Sequence, residues 1–362
     1  MGLTAPRFKG RKTRQNRAFP ALSARRRQTL PRPLTDGGIH AESSVSAASN
    51  KAQKFLNRLS QSEPRFEWFP APDGVRLRAA VWGEGPPARV CVVLTGLTEW
   101  IEKYEEVAGE LLARGFTVAG FDWRGQGQSA RILEDARKAH VTDFAEFDAD
   151  LAAFLDQIVK PLGGGPRIAL AHSMGAHILL RRLHDQPQEV AAAVLCAPML
   201  RVHTGQYPMW FTRVLTTLFN FHVPSEKFVW GTEERDPLTL TFSENRVTSD
   251  PARFEQSQKF LREHPEIRVS GPTFGWLGAA FKSMDKLHAP GFAEAITTPL
   301  LVVGARKDQI VDVEAIHDYA PRLPNARYFE IAEAEHEILM ESDPIRARFW
   351  KAFDAFVKEE LG

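Results

Sequence analysis

Six short apolar, β-rich runs alternate with segments whose apolar residues recur every three to four positions, and this alternation constrains the chain more than any other feature. The runs are residues 90–94, 116–121, 167–172, 192–197, 299–304 and 327–331. Helical spacing follows in residues 100–114, ended by Gly115. It recurs at Phe144, Phe147, Leu151, Phe154 and Ile158 behind the candidate caps Thr142 and Asp143, then after Gly175, over residues 313–319 and over residues 345–360. Runs that are apolar on both faces are buried on both faces, and parallel strands need long crossovers. The pattern therefore predicts an α/β fold, a mostly parallel, doubly wound sheet covered by helices on both sides. Ahead of it, Phe66, Trp68, Val75, Leu77, Ala79 and Val81 alternate at period two around residues 70–74, which predicts an opening antiparallel hairpin.

The rhythm breaks between Pro198 and Thr298. Residues 201–297 hold 14 of the 36 aromatic residues and no strand–helix unit, so they are read as an inserted helical cap. Residues 62–200 and 298–361 then form the core, and residues 1–50 a disordered basic leader. Ten of the 46 Lys and Arg residues fall in the first 35 positions with no acidic residue among them, which leaves 36 basic against 45 acidic residues afterwards. An acidic body offers no general electrostatic footprint for nucleic acid. The leader lacks the apolar stretch of a secretory signal, and no run reaches the roughly 18 apolar residues of a membrane span. It is read as a leader or an upstream start, with peripheral contact to anionic lipid as the alternative. Cys91 and Cys196 sit inside apolar runs, as buried thiols do. A cytoplasmic location is expected.

The chemistry is concentrated at strand ends. In Arg167-Ile-Ala-Leu-Ala-His-Ser-Met-Gly175 a β-rich run ends at Ser173 and a helical pattern starts at once. So tight a turn needs small residues two positions either side, here Ala171 and Gly175. Ser173 is the candidate nucleophile, and the Met174 N–H at the helix start would face a developing oxyanion. A serine hydroxyl needs a base, and the base needs an orienting acid. Asp308 follows the run at 299–304 and His336 follows the last run, giving the order Ser, Asp, His. Asp312 is the alternative acid, although it stands where a helix cap is wanted before Val313. His172 and His177 lack the further ligands zinc would need, and Gly163-Gly164-Gly165 lacks the Lys-Ser/Thr of a phosphate loop.

From Val92-Val-Leu-Thr-Gly-Leu-Thr-Glu-Trp-Ile-Glu-Lys-Tyr104 through Phe121-Asp-Trp-Arg-Gly-Gln-Gly-Gln-Ser129 to His336-Glu-Ile-Leu-Met-Glu341, the chain resembles the α/β-hydrolase superfamily. The likeness is to its monoacylglycerol lipase and bacterial lysophospholipase branch of serine aminopeptidase S33-type hydrolases. Thr248-Ser-Asp-Pro and Gly271-Pro-Thr-Phe-Gly-Trp276 look most like the lysophospholipases. The resemblance implies a serine esterase using Ser173, His336 and Asp308, with the N–H groups of Leu97 and Met174 as the oxyanion hole and no cofactor or metal. It matches Gly125 and Gly127 to a sharp loop, with Asp122 and Arg124 structural. Thr95-Gly96 stands where most relatives have His-Gly.

The implied activity is hydrolysis of a single-chain glycerolipid, a lysophospholipid or a monoacylglycerol, through an acyl-enzyme. Trp210, Phe211 and Trp276 are the candidate contacts to the acyl chain. The alternatives are a proline-directed aminopeptidase, which usually has a further Gly where this chain has Ala176, and a small-ester esterase; a non-catalytic scaffold is the reading from another class.

Overall fold

The first hairpin strand, β1 (Arg65–Pro70), pairs antiparallel with β2 (Arg76–Trp82), Phe69 opposite Leu77. The structure is a computed structural model that describes residues 63–83, 89–163, 165–203, 224–232 and 236–362. The leader at residues 1–50 and the expected acyl-chain contacts Trp210 and Phe211 lie outside the described residues.

After the hairpin, β3 (Val90–Leu94) leads through a 3₁₀ turn to helix α1 (Glu105–Ala113) and to β4 (Thr117–Asp122). A short β5 (Lys138–Ala139) and helix α2 (Ala145–Phe154) precede β6 (Arg167–His172), helix α3 (Ser173–Asp185) and β7 (Ala192–Cys196). Residues 201–297 supply, among the described residues, α4 (Pro251–Glu263), β8 (Gly271–Pro272) and α5 (Phe274–His288). The chain ends with β9 (Leu300–Ala305), α6 (Val313–Tyr319), β10 (Ala326–Ile331) and α7 (Asp343–Leu361).

Eight strands form one sheet in the order β1-β2-β4-β3-β6-β7-β9-β10, parallel from β4 to β10. The order reverses at β3. Since crossovers are right-handed, the reversal puts α1 on one face and α2, α3 and α6 on the other. Helix α7 joins α1, Arg346 pairing with Glu106 and Glu110. Strands β3, β4, β7 and β9 are buried along their whole length, and β6 is buried from Ile168 to His172, as their largely apolar runs require.

Residues 201–297, expected as a helical cap, are not purely helical among the described residues. Their β8 pairs in parallel with β5 of the core, and Trp276, Ala280, Phe281, Met284 and Leu287 of α5 belong to the same hydrophobic core as the sheet. Both cysteines are buried free thiols, and burial pushes both thiol pKa values up.

Candidate active site

Because β6 pairs with β3, Leu94 opposite Ala171, the loops that leave these strands are neighbours at the carboxyl edge, beside the reversal point where open α/β sheets bind ligands. Ser173 opens α3 directly from β6 with φ 49°, a left-handed backbone that costs a non-glycine residue roughly 1–3 kcal/mol. The turn is held from both sides. The Ser173 carbonyl accepts from the Met199 N–H at 3.1 Å. A Cβ on Gly175 would come within 2.5 Å of the Thr95 carbonyl oxygen and 2.6 Å of that of Leu94, so α3 packs against the end of β3 only with glycine there.

The structure brings Ser173, His336 and Asp308 together. His336 Nε2 lies 3.0 Å from Ser173 Oγ, and His336 Nδ1 lies 2.6 Å from Asp308 Oδ2. Asp308 Oδ1 accepts from the N–H groups of Ile310 and Val311 at 2.7 and 2.9 Å. With an ionised carboxylate facing Nδ1, that nitrogen carries the proton and Nε2 is left to accept from the serine hydroxyl. All three residues are buried. Asp312 is elsewhere: its Oδ1 accepts from the N–H groups of Glu314 and Ala315 at 3.1 and 3.4 Å, capping α6.

Leu97 lies in the loop after β3, and Met174 lies in the first turn of α3, where the helix dipole favours negative charge. The loop carrying Thr95 is tied by Trp123 Nε1, which donates to the Thr95 carbonyl at 2.9 Å. Glu99 supplies the rest of the fastening. Its Oε2 accepts from the Gly96 N–H, from Tyr104 Oη at 2.8 Å and from His172 Nδ1 at 3.0 Å, while Lys103 Nζ donates to Oε1 at 3.1 Å.

His172 Nε2 donates in turn to the His336 carbonyl at 3.1 Å. Both ring nitrogens of His172 thus face acceptors, as only the doubly protonated ring can satisfy. Burial opposes its charge, yet the Glu99 carboxylate outweighs this and raises its pKa; burial likewise raises Glu99, but His172 and Lys103 hold that carboxyl well below the usual range. Lys103 also pairs with Glu337. In the sequence Glu99, Lys103 and Glu337 carry no motif; their one signal is that they are charges placed directly in the strand-end loops.

His177, one turn beyond the elbow, is the opposite case. Its Nδ1 donates to the Met199 carbonyl at 2.7 Å, and its Nε2 accepts from the Ser283 hydroxyl of α5 at 2.6 Å. Burial pushes its pKa down to about 3. Unfolded histidine gains a proton near 6.5 whereas the folded ring stays neutral, so stability is lost as pH falls from about 6.5 toward 3. The slope is half of about 1.4 kcal/mol per pH unit at pH 6.5 and approaches that full value below it, so the loss between pH 6.5 and 4.5 is roughly 2 kcal/mol. In His177→Gln, which can still donate to Met199, the difference in urea-unfolding free energy between these two pH values is expected to shrink by that amount. An unchanged difference would refute a buried neutral His177.

Trp276 is buried, 5.8 Å from Phe144 between ring centroids, and its Nε1 has no hydrogen-bond partner among the described residues. These are the contacts of a packing residue. Asp122 and Arg124 are both buried in ion pairs, with Arg78 and with Asp150 and Asp73 respectively. A cavity of about 180 Å³ lies between the loop after β3, α4 and the loop after His336, its lining including Thr98, Trp100, Lys103, Phe254, Gln258 and Glu337. Among the described residues no cluster of three or more His, Cys, Asp or Glu side chains could hold a metal ion, and no helix is long and apolar enough to cross a membrane.

Residues 85–343 match the family described as serine aminopeptidase, S33. The chain is 33% identical to lysophospholipase L2 of Escherichia coli strain K12 over 267 residues, covering 72% of this chain and 77% of that protein. It is 28% identical to the probable lysophospholipase L2 of Haemophilus influenzae over 306 residues, 83% of this chain and 95% of that one. Among solved structures, a soluble variant of monoglyceride lipase from Saccharomyces cerevisiae, in complex with a substrate analog, superposes with a TM-score of 0.64 at 18% identity, covering 83% of this chain and 98% of that chain. At that identity the likeness concerns the fold, which is that of an α/β-hydrolase.

Proposed function

The chain belongs to the serine aminopeptidase S33 family, and from that membership we propose that it hydrolyses the carboxylic ester of a single-chain glycerolipid, a lysophospholipid foremost, through an acyl-enzyme on Ser173. The observation that carries the reading is the hydrogen-bonded series Asp308, His336, Ser173 at the carboxyl edge of the sheet. The similarity to two lysophospholipases supports the substrate class.

In the proposed reaction Ser173 Oγ attacks the ester carbonyl and its proton passes to His336 Nε2. The carbonyl oxygen, now an anion, is stabilised by the N–H groups of Leu97 and Met174. Collapse of this intermediate breaks the bond to the glycerol oxygen, which takes the proton from His336 as it leaves. A water then attacks the acyl-enzyme while giving a proton to His336, and as the second intermediate collapses His336 returns that proton to Ser173 Oγ and the fatty acid leaves. Asp308 keeps the imidazole in the tautomer both halves need and stabilises its charged form. The mixed polar and aromatic lining of the cavity beside Lys103 and Glu337 suits a hydrated headgroup, while the aromatic inserted segment suits the acyl chain.

Acyl-chain length is accordingly expected to matter. Each methylene that enters an apolar passage contributes up to about 0.8 kcal/mol. From a four-carbon to an eight-carbon ester this gives an upper gain of roughly 3 kcal/mol, or about 200-fold in kcat/KM, before ordering costs reduce it. The test is kcat/KM for a series of acyl esters below their micelle thresholds, with mass spectrometry of products from lysophospholipids and monoacylglycerols. A steady preference for acetate over octanoate, or cleavage of a proline arylamide in place of the lipids, would overturn the lipid reading.

A further inference from the structure

The loop after β4 turns through two glycines in the left-handed region, Gly125 at φ 76° and Gly127 at φ 48°. Gln126 between them is 1% exposed. Its side-chain amide reaches the loop after β3 with two hydrogen bonds: Nε2 donates to the Gly96 carbonyl at 3.1 Å, and Oε1 accepts from the Thr98 N–H at 2.6 Å.

Those two groups flank Leu97, and the Gly96 carbonyl belongs to the same peptide unit as the Leu97 N–H. A trans peptide is planar and directs its C=O and N–H to opposite sides, and no cis bond occurs among the described residues. Fixing the Gly96 carbonyl therefore fixes the direction of the Leu97 N–H. Rotation of this one peptide would replace the donor with a carbonyl oxygen, and Gly96, with no Cβ, resists such a rotation weakly. The second bond secures Thr98, whose φ of 65° is an unfavourable conformation for any residue but glycine.

We infer that Gln126 is a positioning residue for the reaction: its amide locks the Gly96–Leu97 peptide with the N–H turned toward the oxyanion. The inference rests on the reading of Leu97 as an oxyanion donor proposed above. The side-chain amide both donates and accepts across this span, whereas a carboxylate has no donor and a thioether has neither strong group. The turn that carries it has little room to shift, because a Cβ on Gly127 would fall 2.1 Å from Asp122 Cγ, and the Gln128 N–H is bonded to Asp122 Oδ2 at 3.0 Å.

The test uses Gln126→Met and Gln126→Glu, both close to the native volume. Their kinetics on a soluble short-chain ester are compared with their affinity for a trifluoromethyl ketone, whose carbonyl carbon bonds to a serine oxygen and whose carbonyl oxygen becomes an anion as His336 takes the proton. The expected result is a fall in kcat of about 10²-fold, the scale on which one oxyanion donor acts. KM should stay within about 2-fold, and affinity for the ketone should fall by the same factor as kcat/KM, as transition-state binding requires. A folded variant, judged by near-ultraviolet circular dichroism, that keeps kcat within about 3-fold of the unaltered protein, or that changes KM while holding the ketone equally well, would overturn the inference, since an oxyanion donor acts in the transition state. Failure of both variants to fold would assign Gln126 to the fold and overturn it too. Ser173→Ala, measured in parallel, separates the two levels: activity that survives in that variant removes the underlying reading, whereas activity lost there and retained in the Gln126 variants removes only the lock.

Discussion

Ser173→Ala is expected to lower kcat for ester hydrolysis by roughly 10⁶-fold, the scale on which loss of the nucleophile acts in a serine hydrolase. The substitution removes one oxygen, bonded to His336 at 3.0 Å, and leaves the backbone turn to a residue with the same left-handed penalty. Folding and KM should therefore change little. What remains is the modest assistance that an oxyanion hole and a bound substrate give to attack by water. A fluorophosphonate, which needs a base-activated serine, should label the unaltered protein at Ser173 and fail to label the variant. Turnover within about 100-fold of the unaltered protein, or labelling that survives the substitution, would place the nucleophile at another residue.

Asp308→Asn is the second large effect, with an expected loss of about 10⁴-fold in kcat. The local hydrogen bonding determines how the new amide sits. The N–H groups of Ile310 and Val311 both donate to Asp308 Oδ1, so an asparagine keeps its oxygen there and turns its NH₂ toward His336 Nδ1. That nitrogen must then accept, which leaves the ring proton on Nε2, facing Ser173 Oγ, where a base is needed. Asp312→Asn should alter kcat by less than about 3-fold, since asparagine caps a helix as well as aspartate does. A large loss in Asp312→Asn beside a small one in Asp308→Asn would move the acid to Asp312.

These residues were legible in the sequence because each follows an apolar run by a few positions, where a parallel sheet collects its strand ends. Strand β3 coincides with its apolar run, and β6 coincides with the run at 167–172, its polar residues confined to the two ends, Arg167 and His172. The run at 116–121 is displaced by one from β4, because Asp122 closes that strand as a buried carboxylate held by Arg78. Strands β5 and β8 have two residues each, too few to show any period. The surrounding polar residues are illegible for a different reason. Gln126, Glu99 and Lys103 take their meaning chiefly from partners 28, 73 and 234 positions away in the chain, and their place in the strand-end loops is the one local sign that separates them from solvated side chains. The departure at Thr95 is intelligible only in the structure, where Trp123 and Glu99 fasten the loop.

The arrangement of the strand ends also has a consequence for biosynthesis. A polypeptide is made from its N-terminus, and its parts fold as they emerge. Strands β3, β4 and β6 are adjacent in the sheet, so the elbow and the loop facing it can assemble while the rest of the chain is still being made. Asp308 and His336 enter with β9 and β10, on the far side of the long inserted segment. Until then Ser173 would lack the base proposed for it. On the proposed mechanism the nascent protein would therefore lack esterase activity through most of its synthesis and gain it late, when the last strand closes the edge of the sheet.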